Sequence, residues 1–272
     1  MTTLDSDHRP DLDAILGGLK DFQRKTVDYI FKRLYQDQDA VSRFLIADEV
    51  GLGKTLVARG LIAKAIDHLW DDVDRIDVVY ICSNQEIARQ NIDRLNITRQ
   101  RQFQFASRAT LLPVSLQKLR GNKLNFVSLT PGTSFSMHSR TGIVWERTLL
   151  FFMLIDHWDV RESILSNILR GDVTKKNWNY YKWSFDHNEE IDQTLQEEFL
   201  AELDKHPELK EGYDQLADLI GSRRTNLSRE LRQQRNAWIG GLRKILARSS
   251  LSALEPDIII LDEFQRFRYL LD

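Results

Sequence analysis

The sequence predicts an α/β fold in which a parallel sheet is interrupted by a long helical insertion. Short apolar runs alternate with segments of helical periodicity, a pattern typical of strands joined by helices. A glycine-rich loop at residues 48–55 lies between the first of these runs and the helix that follows it. Residues 143–250 lack strand alternation and show helical periodicity instead, which indicates an insertion in the sheet domain.

The N-terminal part of the chain predicts two helices, a strand and a third helix. From Leu12 to Tyr35 apolar residues recur at helical spacing, and Gly17-Gly18 divides this segment into two helices. The short apolar run Arg43–Ala47 predicts a buried strand. Residues 54–69 place their apolar positions on one helical face, so they predict a helix that packs against the sheet.

Four further apolar runs predict the remaining strands. They are Ile76–Cys82, Ala109–Val114, Phe126–Leu129 and Asp257–Leu261, and the first of them is followed by a predicted helix over residues 85–95. With the run before the glycine-rich loop, the sequence has five candidate strands. Five strands joined by helices are enough for an open, doubly wound parallel sheet.

Charge is distributed unevenly within the insertion. The segment from Asp186 to Asp218 has 12 acidic residues and 2 lysines, whereas the segment from Gly221 to Ser250 has 8 basic residues and 1 glutamate. Complementary charge favours an antiparallel pair of helical segments in which the basic side chains meet the acidic ones. The alternative is that the basic segment follows a nucleic-acid backbone. We favour the pairing of the two segments.

The composition is typical of a globular protein in a reducing compartment. Of the 272 residues, 42% are hydrophobic and 29% are charged, which excludes global disorder, and the net charge is −2. The single cysteine, Cys82, excludes an internal disulfide and ends an apolar run, so we expect a buried thiol. The N-terminus has no signal-peptide core, and the longest apolar stretch, Leu149–Ile155, is far shorter than the ~20 residues of a membrane-spanning helix. We expect a cytoplasmic protein with no membrane partner.

The strongest motif is the octapeptide DEVGLGKT at residues 48–55. Gly51 and Gly53 allow the backbone N–H groups to turn toward phosphate oxygens, and the following helix directs the positive end of its dipole to the same place. The Lys54 ammonium can reach the β- and γ-phosphates of a nucleotide, and the Thr55 hydroxyl can bind Mg²⁺. A position between a strand and a helix is the context that a P-loop requires.

DEVGLGKT closely resembles the phosphate-binding loop of the Swi/Snf-type helicase-like ATPases of superfamily two. Asp48 stands where the general P-loop pattern has Gly or Ala, a departure that this subfamily shares. The resemblance covers about residues 12–135 and 256–266 and implies a P-loop NTPase with a RecA-like parallel sheet. The large α-helical insertion is predicted from periodicity and matches no part of the resembled family. We therefore assign residues 1–135 and 256–272 to the first RecA-like lobe and residues 136–255 to the insertion. The resemblance also implies ATP and Mg²⁺ as cofactors, with the phosphates held by Val50, Gly51, Leu52, Gly53, Lys54 and Thr55.

An acidic pair follows the last apolar run. Asp262 and Glu263 come directly after Ile258–Leu261, and a carboxylate pair at the carboxyl end of a strand is typical of a Walker B motif. By resemblance to the family, Asp262 and Thr55 hold Mg²⁺, and Glu263 polarises the attacking water. Together with Lys54, the two carboxylates are the predicted catalytic residues.

Two glutamines carry further implications of the resemblance. Gln23 lies on a predicted helix about 30 residues before the P-loop lysine. In the resembled family a glutamine at this place reads the adenine edge, so Gln23 is the candidate for that role. Gln265 stands where the superfamily usually has His or Asp, a residue that links nucleotide state to the second lobe. This difference puts the coupling in doubt and leaves metal binding plausible.

Two polar stretches and one aromatic cluster are weaker candidates. Ser83-Asn84 with Gln90-Asn91, and Thr130–Phe135, follow predicted strands where the resembled family contacts nucleic acid. Hydroxyl groups and free backbone N–H groups at strand ends suit phosphate contacts, although Pro131-Gly132 is also an ordinary turn signal. The cluster Trp178, Tyr180, Tyr181 and Trp183 favours a core or hairpin contact over base stacking.

Taken together, these motifs predict the ATP-binding lobe of a nucleic-acid-dependent ATPase, a helicase or DNA translocase that converts ATP and water to ADP and phosphate. DNA or RNA is the expected partner. The family has a second RecA lobe that supplies arginines to the transferred phosphoryl group, and this chain ends at Asp272 without it. We therefore expect the chain alone to bind ATP weakly and to hydrolyse almost none. The alternatives are a non-catalytic nucleotide-binding or scaffold module that acts through its helical insertion, and a P-loop switch that regulates.

Overall fold

The structure, a computed structural model, describes residues 9–47, 53–95, 97, 103–105, 108–118, 122–130, 141–221, 227–252, 256–263 and 265. The chain divides into two compact units. The first comprises Met1–Phe105, Gly121–Pro131 and Pro256–Asp272, and the second comprises Ala106–Arg120 and Gly132–Glu255. The architecture is mixed α/β, with one small parallel sheet in the first unit and helices in the second.

The sheet of the first unit has four parallel strands in the described residues. They are β1 (Ile76–Cys82), β2 (Phe103–Phe105), β3 (Leu124–Leu129) and β4 (Ile258–Asp262), in the order β2-β3-β1-β4. β1 is central, and its pairings with β3 and β4 place Val78 opposite Phe126 on one side and opposite Ile258 on the other. The strand predicted at Ile76–Cys82 is confirmed. The strands predicted at Phe126–Leu129 and Asp257–Leu261 are also present, as β3 and β4, with boundaries that differ by one or two residues.

Four helices and a short π-helix accompany this sheet. They are α1 (Leu12–Gly17), α2 (Asp21–Phe31), the π-helical turn Lys32–Gln36, α3 (Lys54–Leu69) and α4 (Gln85–Leu95). The Asp11 carboxylate caps α1 by accepting a hydrogen bond of 3.0 Å from the backbone N–H of Ala14. α3 packs against α2, where Val27 and Val57 are buried, and also against β1. The predicted break at Gly17-Gly18 and the helices over 54–69 and 85–95 are confirmed.

The prediction of a buried strand at Arg43–Ala47 is wrong. This run has no regular secondary structure, and Phe44 and Leu45 are 40% and 64% exposed. A strand forms only where a neighbour pairs with its backbone N–H and C=O groups, and no strand in the described ranges lies beside this run. The apolar composition of this run was therefore not sufficient to predict a strand.

The run Ala109–Val114, also predicted as a strand, is helical. Ala109–Leu111 forms a 3₁₀ turn and Leu112–Gln117 forms α5, with Pro113 in its first turn, where the missing N–H breaks no helical hydrogen bond. These residues belong to the second unit, although the sequence analysis assigned them to the first lobe. Periodicity does not separate a short apolar strand from a short buried helix. β2 was not predicted.

In the described residues of the second unit, all regular secondary structure is helical. After α5 come α6 (Val144–Leu154), α7 (Glu162–Leu169), α8 (Lys175–Asn188), α9 (Gln193–Leu203), α10 (Pro207–Ile220) and α11 (Arg229–Ser252). These helices enclose a hydrophobic core of their own, which includes the fully buried Leu149, Phe199 and Leu242. The helical structure predicted for residues 143–250 is confirmed for the described residues of that range.

Buried ion pairs in this unit do not follow the predicted charge pairing. α9 and α10 pack against α11, as the complementary charge predicted. However, the Arg243 guanidinium donates to Glu146 over 2.9 Å and Arg235 donates to Asp172 over 3.2 Å, and both carboxylates precede the acidic segment. α11 also packs against α6, the helix that carries Glu146. Arg243 therefore forms a buried pair with Glu146, whereas the buried Arg235 pairs with Asp172, whose side chain is 68% exposed.

Three smaller predictions concern burial. The Cys82 thiol is buried, as expected. The apolar stretch Leu149–Ile155 lies in the buried helix α6 and the turn after it. Within the described residues, no helix combines the length and the apolar character needed to cross a bilayer.

Candidate functional site

The carboxyl edge of the sheet carries the predicted acidic pair. β1 and β4 are parallel neighbours, and their register places Asp262 opposite Cys82 at the last residue of each strand. Glu263 follows immediately. Because the carboxyl ends of parallel strands meet at one edge, both carboxylates lie beside the loop that leaves β1. This edge is where open α/β sheets bind ligands.

Asp262 is held by two side chains of the neighbouring strand and helix. The Tyr80 hydroxyl donates to Oδ2 of Asp262 over 2.6 Å, and Nδ2 of Asn91 donates to the same oxygen over 3.1 Å. Nδ2 of Asn91 also donates to the Tyr80 hydroxyl over 3.0 Å, so the three groups form a closed triangle. Burial raises the pKa of Tyr80, and the hydrogen bond to Asp262 raises it further. The hydroxyl therefore stays protonated and acts as a fixed donor to the carboxylate.

Glu263 contacts the loop after β1 and has a strained backbone. The Ser83 hydroxyl donates to Oε2 of Glu263 over 2.7 Å. The φ angle of Glu263 is 51°, a left-handed conformation that is uncommon outside glycine. Strain of this kind is concentrated at functional sites, where surrounding contacts hold it in place. Here the turn brings the carboxylate of Glu263 to Ser83.

Three of the predicted phosphate-binding residues are described. Gly53 has a φ of +83°, and α3 begins at Lys54 and continues through Thr55. The backbone N–H groups of Leu56 and Val57 both donate to the Gly53 carbonyl, which fixes the first turn of α3. The predicted residues Val50, Gly51 and Leu52, with Asp48 and Glu49, lie outside the described residues.

The direction of α3 places its first turn at the same edge of the sheet as the acidic pair. α3 packs against both β1 and β4, and it ends at Leu69, shortly before β1 begins at Ile76. Its 16 residues span ~24 Å, about the length of β1. Since a short connection joins the end of α3 to the start of β1, the helix runs antiparallel to the strand. Lys54 and Thr55 therefore lie toward the strand ends that carry Asp262 and Glu263.

Gln23 contacts the glycine that precedes α3. Its side chain is buried, with 3% of its surface exposed, and its Oε1 accepts from the backbone N–H of Lys20 over 3.0 Å. A Cβ at Gly53 would lie 2.5 Å from Nε2 of Gln23. The structure thus brings the predicted adenine-binding glutamine directly to the predicted phosphate loop. The sequence analysis did not predict this contact between Gln23 and Gly53, because the spacing of two residues along the chain does not give the distance between them in the fold.

The donor types present suit Mg²⁺ and a nucleotide. Magnesium in nucleotide sites is held by one or two carboxylates or hydroxyls, and phosphate oxygens and waters complete its six ligands. Asp262 and Thr55 provide this minimal set. No group of three or more His, Cys, Asp or Glu side chains with metal-binding geometry occurs among the residues that the structure describes. Gly53 provides the bare backbone that close approach of a phosphate requires.

The weaker predicted contacts have mixed outcomes. Ser83 and Asn91, predicted to contact nucleic acid, instead hydrogen-bond the acidic pair, while Asn84 caps α4 by accepting from the N–H of Glu86 over 2.8 Å. Thr130 is buried at the end of β3, and Pro131–Phe135 lie outside the described residues. Gln265 is exposed.

Sequence reasoning missed Tyr80 as a site residue, since it lies inside the apolar run that forms β1. A polar hydroxyl near the end of an otherwise apolar strand was the one available signal. The candidate site therefore combines the first turn of α3, Gln23, the acidic pair and the three donors Tyr80, Ser83 and Asn91.

Comparison of the chain with protein-family models, curated proteins and solved structures gives no match.

Proposed function

We propose that the first unit is the ATP-binding lobe of a nucleic-acid-dependent ATPase, a helicase or DNA translocase with a P-loop and a RecA-like sheet. The observation that supports this most directly is that α3, which begins at Lys54 and Thr55, packs against β4, which ends at Asp262, just before Glu263. A phosphate-binding helix start beside a carboxylate pair is what phosphoryl transfer to water requires.

In this proposal each side chain has one task. The Lys54 ammonium neutralises charge on the β- and γ-phosphates, and Gln23 hydrogen-bonds the adenine edge. Thr55 and Asp262 hold Mg²⁺, which when bound neutralises the charge that develops on the phosphate oxygens. Glu263 orients the attacking water and accepts its proton. Tyr80 and Asn91 fix the Asp262 carboxylate, so that it does not reorient when it takes up the metal.

The test is a titration of the full chain with a fluorescent ATP analogue in the presence and absence of Mg²⁺. We expect Lys54→Ala to weaken binding by about 10-fold or more, since it removes charged hydrogen bonds to phosphate. Asp262→Asn should remove most of the Mg²⁺ dependence. Lys32→Ala is the matched control, because Lys32 is a lysine that is 66% exposed and lies in the π-helical turn. Equal affinity of the wild type and the Lys54 variant would reject the nucleotide site.

A second candidate function is a non-catalytic nucleotide-binding or scaffold module. It is favoured by the hydrogen bonds that Asp262 and Glu263 already accept from Tyr80, Asn91 and Ser83, and by the separate hydrophobic core of the helical unit. The two candidates differ in their response to DNA. Single-stranded or duplex DNA should change the affinity for ATP if the chain is a motor lobe, because the two ligands are then linked. Saturable ATP binding that DNA leaves unchanged would favour the non-catalytic module.

A further inference from the structure

The second unit contains an open cleft between α7 and α8. Both helices pack against α6, which provides the floor of the cleft through Phe151 and Phe152. The cleft has a volume of about 740 Å³. α8 spans 14 residues, so a groove along it is ~20 Å long. A space of this size can hold part of an extended chain-like ligand.

Buried hydrogen-bond donors without acceptors line this cleft. Oγ of Ser166, Nε of Arg170 and Nε1 of Trp178 are buried and have no hydrogen-bond partner. The Trp178 side chain is only 1% exposed. All three atoms are shielded from solvent, so they belong to the packed wall of the cleft and do not by themselves identify a ligand.

The charge of the cleft is positive where these donors lie. Arg170 and Lys175 line the same end as Ser166 and Trp178. At the other end the Glu162 carboxylate pairs with Lys182 over 2.6 Å, so these two charges compensate each other. Asp186 also lines the cleft, but its side chain is 65% exposed to solvent, which screens its charge. The lining has three cations, Arg170, Lys175 and Lys182, and two carboxylates, which is a small excess of positive charge.

A row of exposed aromatic rings runs along α8 beside the cleft. Tyr180 and Trp183 are 61% and 56% exposed, and their ring centroids are 6.4 Å apart with an interplanar angle of 32°. The ring of His187 continues the row, 4.6 Å from Trp183 at an angle of 33°. The sequence analysis favoured a core or hairpin contact for this aromatic cluster; Trp178 lies in the core, whereas Tyr180 and Trp183 do not. Exposed rings along one helix face provide platforms on which bases can stack.

We propose that this surface of the second unit binds single-stranded nucleic acid. Bases stack on Trp183 and Tyr180, and a phosphate of the same strand accepts hydrogen bonds from Arg170 and Lys175 in the cleft. Exposed Trp, Tyr and Arg side chains also suit protein partners. The combination of exposed aromatic rings with lining cations favours a strand that carries both bases and phosphates. The inference rests on residues of the second unit and does not depend on the proposed nucleotide site.

The test is fluorescence anisotropy with a labelled oligothymidylate of about 15 nucleotides and the full chain without ATP, since single-strand sites span ~4–16 nucleotides. We expect Trp183→Ala and Tyr180→Ala each to weaken binding about 10-fold, as stacking on a ring contributes that much per base. Lys175→Gln should reduce the slope of log affinity against log salt by about one. Tyr29→Ala is the matched control, because Tyr29 is an exposed tyrosine of the first unit, with 59% of its surface accessible.

A second measurement reports on Trp183 directly. The chain has six tryptophans, and Trp183 is the one among them that is a large exposed hydrophobic residue. Stacking of a base on this ring should quench part of the intrinsic fluorescence, and the quench should disappear in Trp183→Phe while circular dichroism stays unchanged.

Two results would overturn the proposal. One is a wild-type chain that binds no oligothymidylate at low salt, which would leave the aromatic row as a surface for a protein partner. The other is equal binding by the wild type and both aromatic variants, which would place any nucleic-acid contact elsewhere. Lys54→Ala should bind the oligonucleotide as the wild type does, so failure of the nucleotide site and failure of the cleft are distinguishable.

Discussion

The side-chain amide of Gln23 packs against the backbone of Gly53, so that a Cβ at residue 53 would lie 2.5 Å from Nε2 of Gln23. This contact joins α2 to the start of α3 and depends on the absence of a side chain at Gly53. The φ angle of Gly53, +83°, is a second reason for glycine at this position.

Gly53→Ala should therefore destabilise the first unit. We expect a loss of about 1–2 kcal/mol in the free energy of unfolding, because alanine is strained at this φ and the Gln23 amide must move. The measurement is urea denaturation followed by circular dichroism. Gly17→Ala is the matched control, since no atom lies within 4 Å of a Cβ there and the residue is helical. That control should be neutral or stabilising by up to ~1 kcal/mol, because alanine favours a helix. Equal destabilisation by both variants would contradict the contact.

Tyr80→Phe should loosen the Asp262 carboxylate without disrupting the sheet. Removal of the hydroxyl deletes two hydrogen bonds, the one that it donates to Asp262 and the one that it accepts from Asn91, each worth about 1 kcal/mol of stability. Asn91 remains as a donor to Asp262. If Asp262 binds Mg²⁺, the Mg²⁺ concentration needed for nucleotide binding should rise several-fold, while binding without Mg²⁺ stays constant. The exposed Tyr29 provides the control substitution, Tyr29→Phe. A Tyr80 variant with normal Mg²⁺ dependence would limit Tyr80 to a role in folding.

Arg243→Met should strongly destabilise the helical unit. Glu146 is fully buried and Arg243 is 2% exposed, so the substitution leaves the buried carboxylate with the more distant Arg108, at 3.8 Å, as its guanidinium partner. Loss of one partner of a buried pair costs about 3–5 kcal/mol, and Arg108 should keep the loss at the lower end of this range. The double variant Glu146→Gln/Arg243→Met should recover part of this loss, since it removes the buried carboxylate charge, although Thr110 still donates to residue 146.

A surface ion pair is the comparison for this prediction. Lys210 and Asp214 lie four residues apart on α10 at 2.6 Å, with side chains that are 38% and 58% exposed. Lys210→Ala should change stability by less than ~1 kcal/mol, because solvent screens exposed pairs. Both variants can be followed by thermal denaturation. An Arg243 variant as stable as the Lys210 variant would show that the buried pair does not hold the helical unit together.

Neighbouring isoleucines of β4 should respond differently to truncation. Ile258 is 7% exposed and packs in the hydrophobic core of the first unit, whereas Ile259 is 53% exposed. Ile258→Ala should cost about 2–4 kcal/mol because it leaves a cavity, and Ile259→Ala should cost less than ~1 kcal/mol. Denaturant unfolding of the two variants measures the difference. Similar losses would mean that β4 is covered on both faces.

The sequence by itself determined the elements whose signal is local. The periodicity of residues 54–69 and 85–95 was sufficient for α3 and α4, and the run Ile76–Cys82 was sufficient for β1. The acidic pair after an apolar run was enough to place Asp262 and Glu263 at a strand end. These predictions succeed because helical and strand periodicities arise from backbone geometry within a few residues.

Only the tertiary structure decided which groups meet. Ser83 and Asn91 are separated from the acidic pair by more than 170 residues, and they contact it because β1 and β4 are neighbours in the sheet. The same holds for Arg243 and Glu146, and for the exposure of Trp183 beside the buried Trp178. Strand order and helix packing depend on contacts between distant segments, which no local pattern encodes. The runs Arg43–Ala47 and Ala109–Val114 were misassigned for this reason, since an apolar run becomes a strand only beside a partner strand.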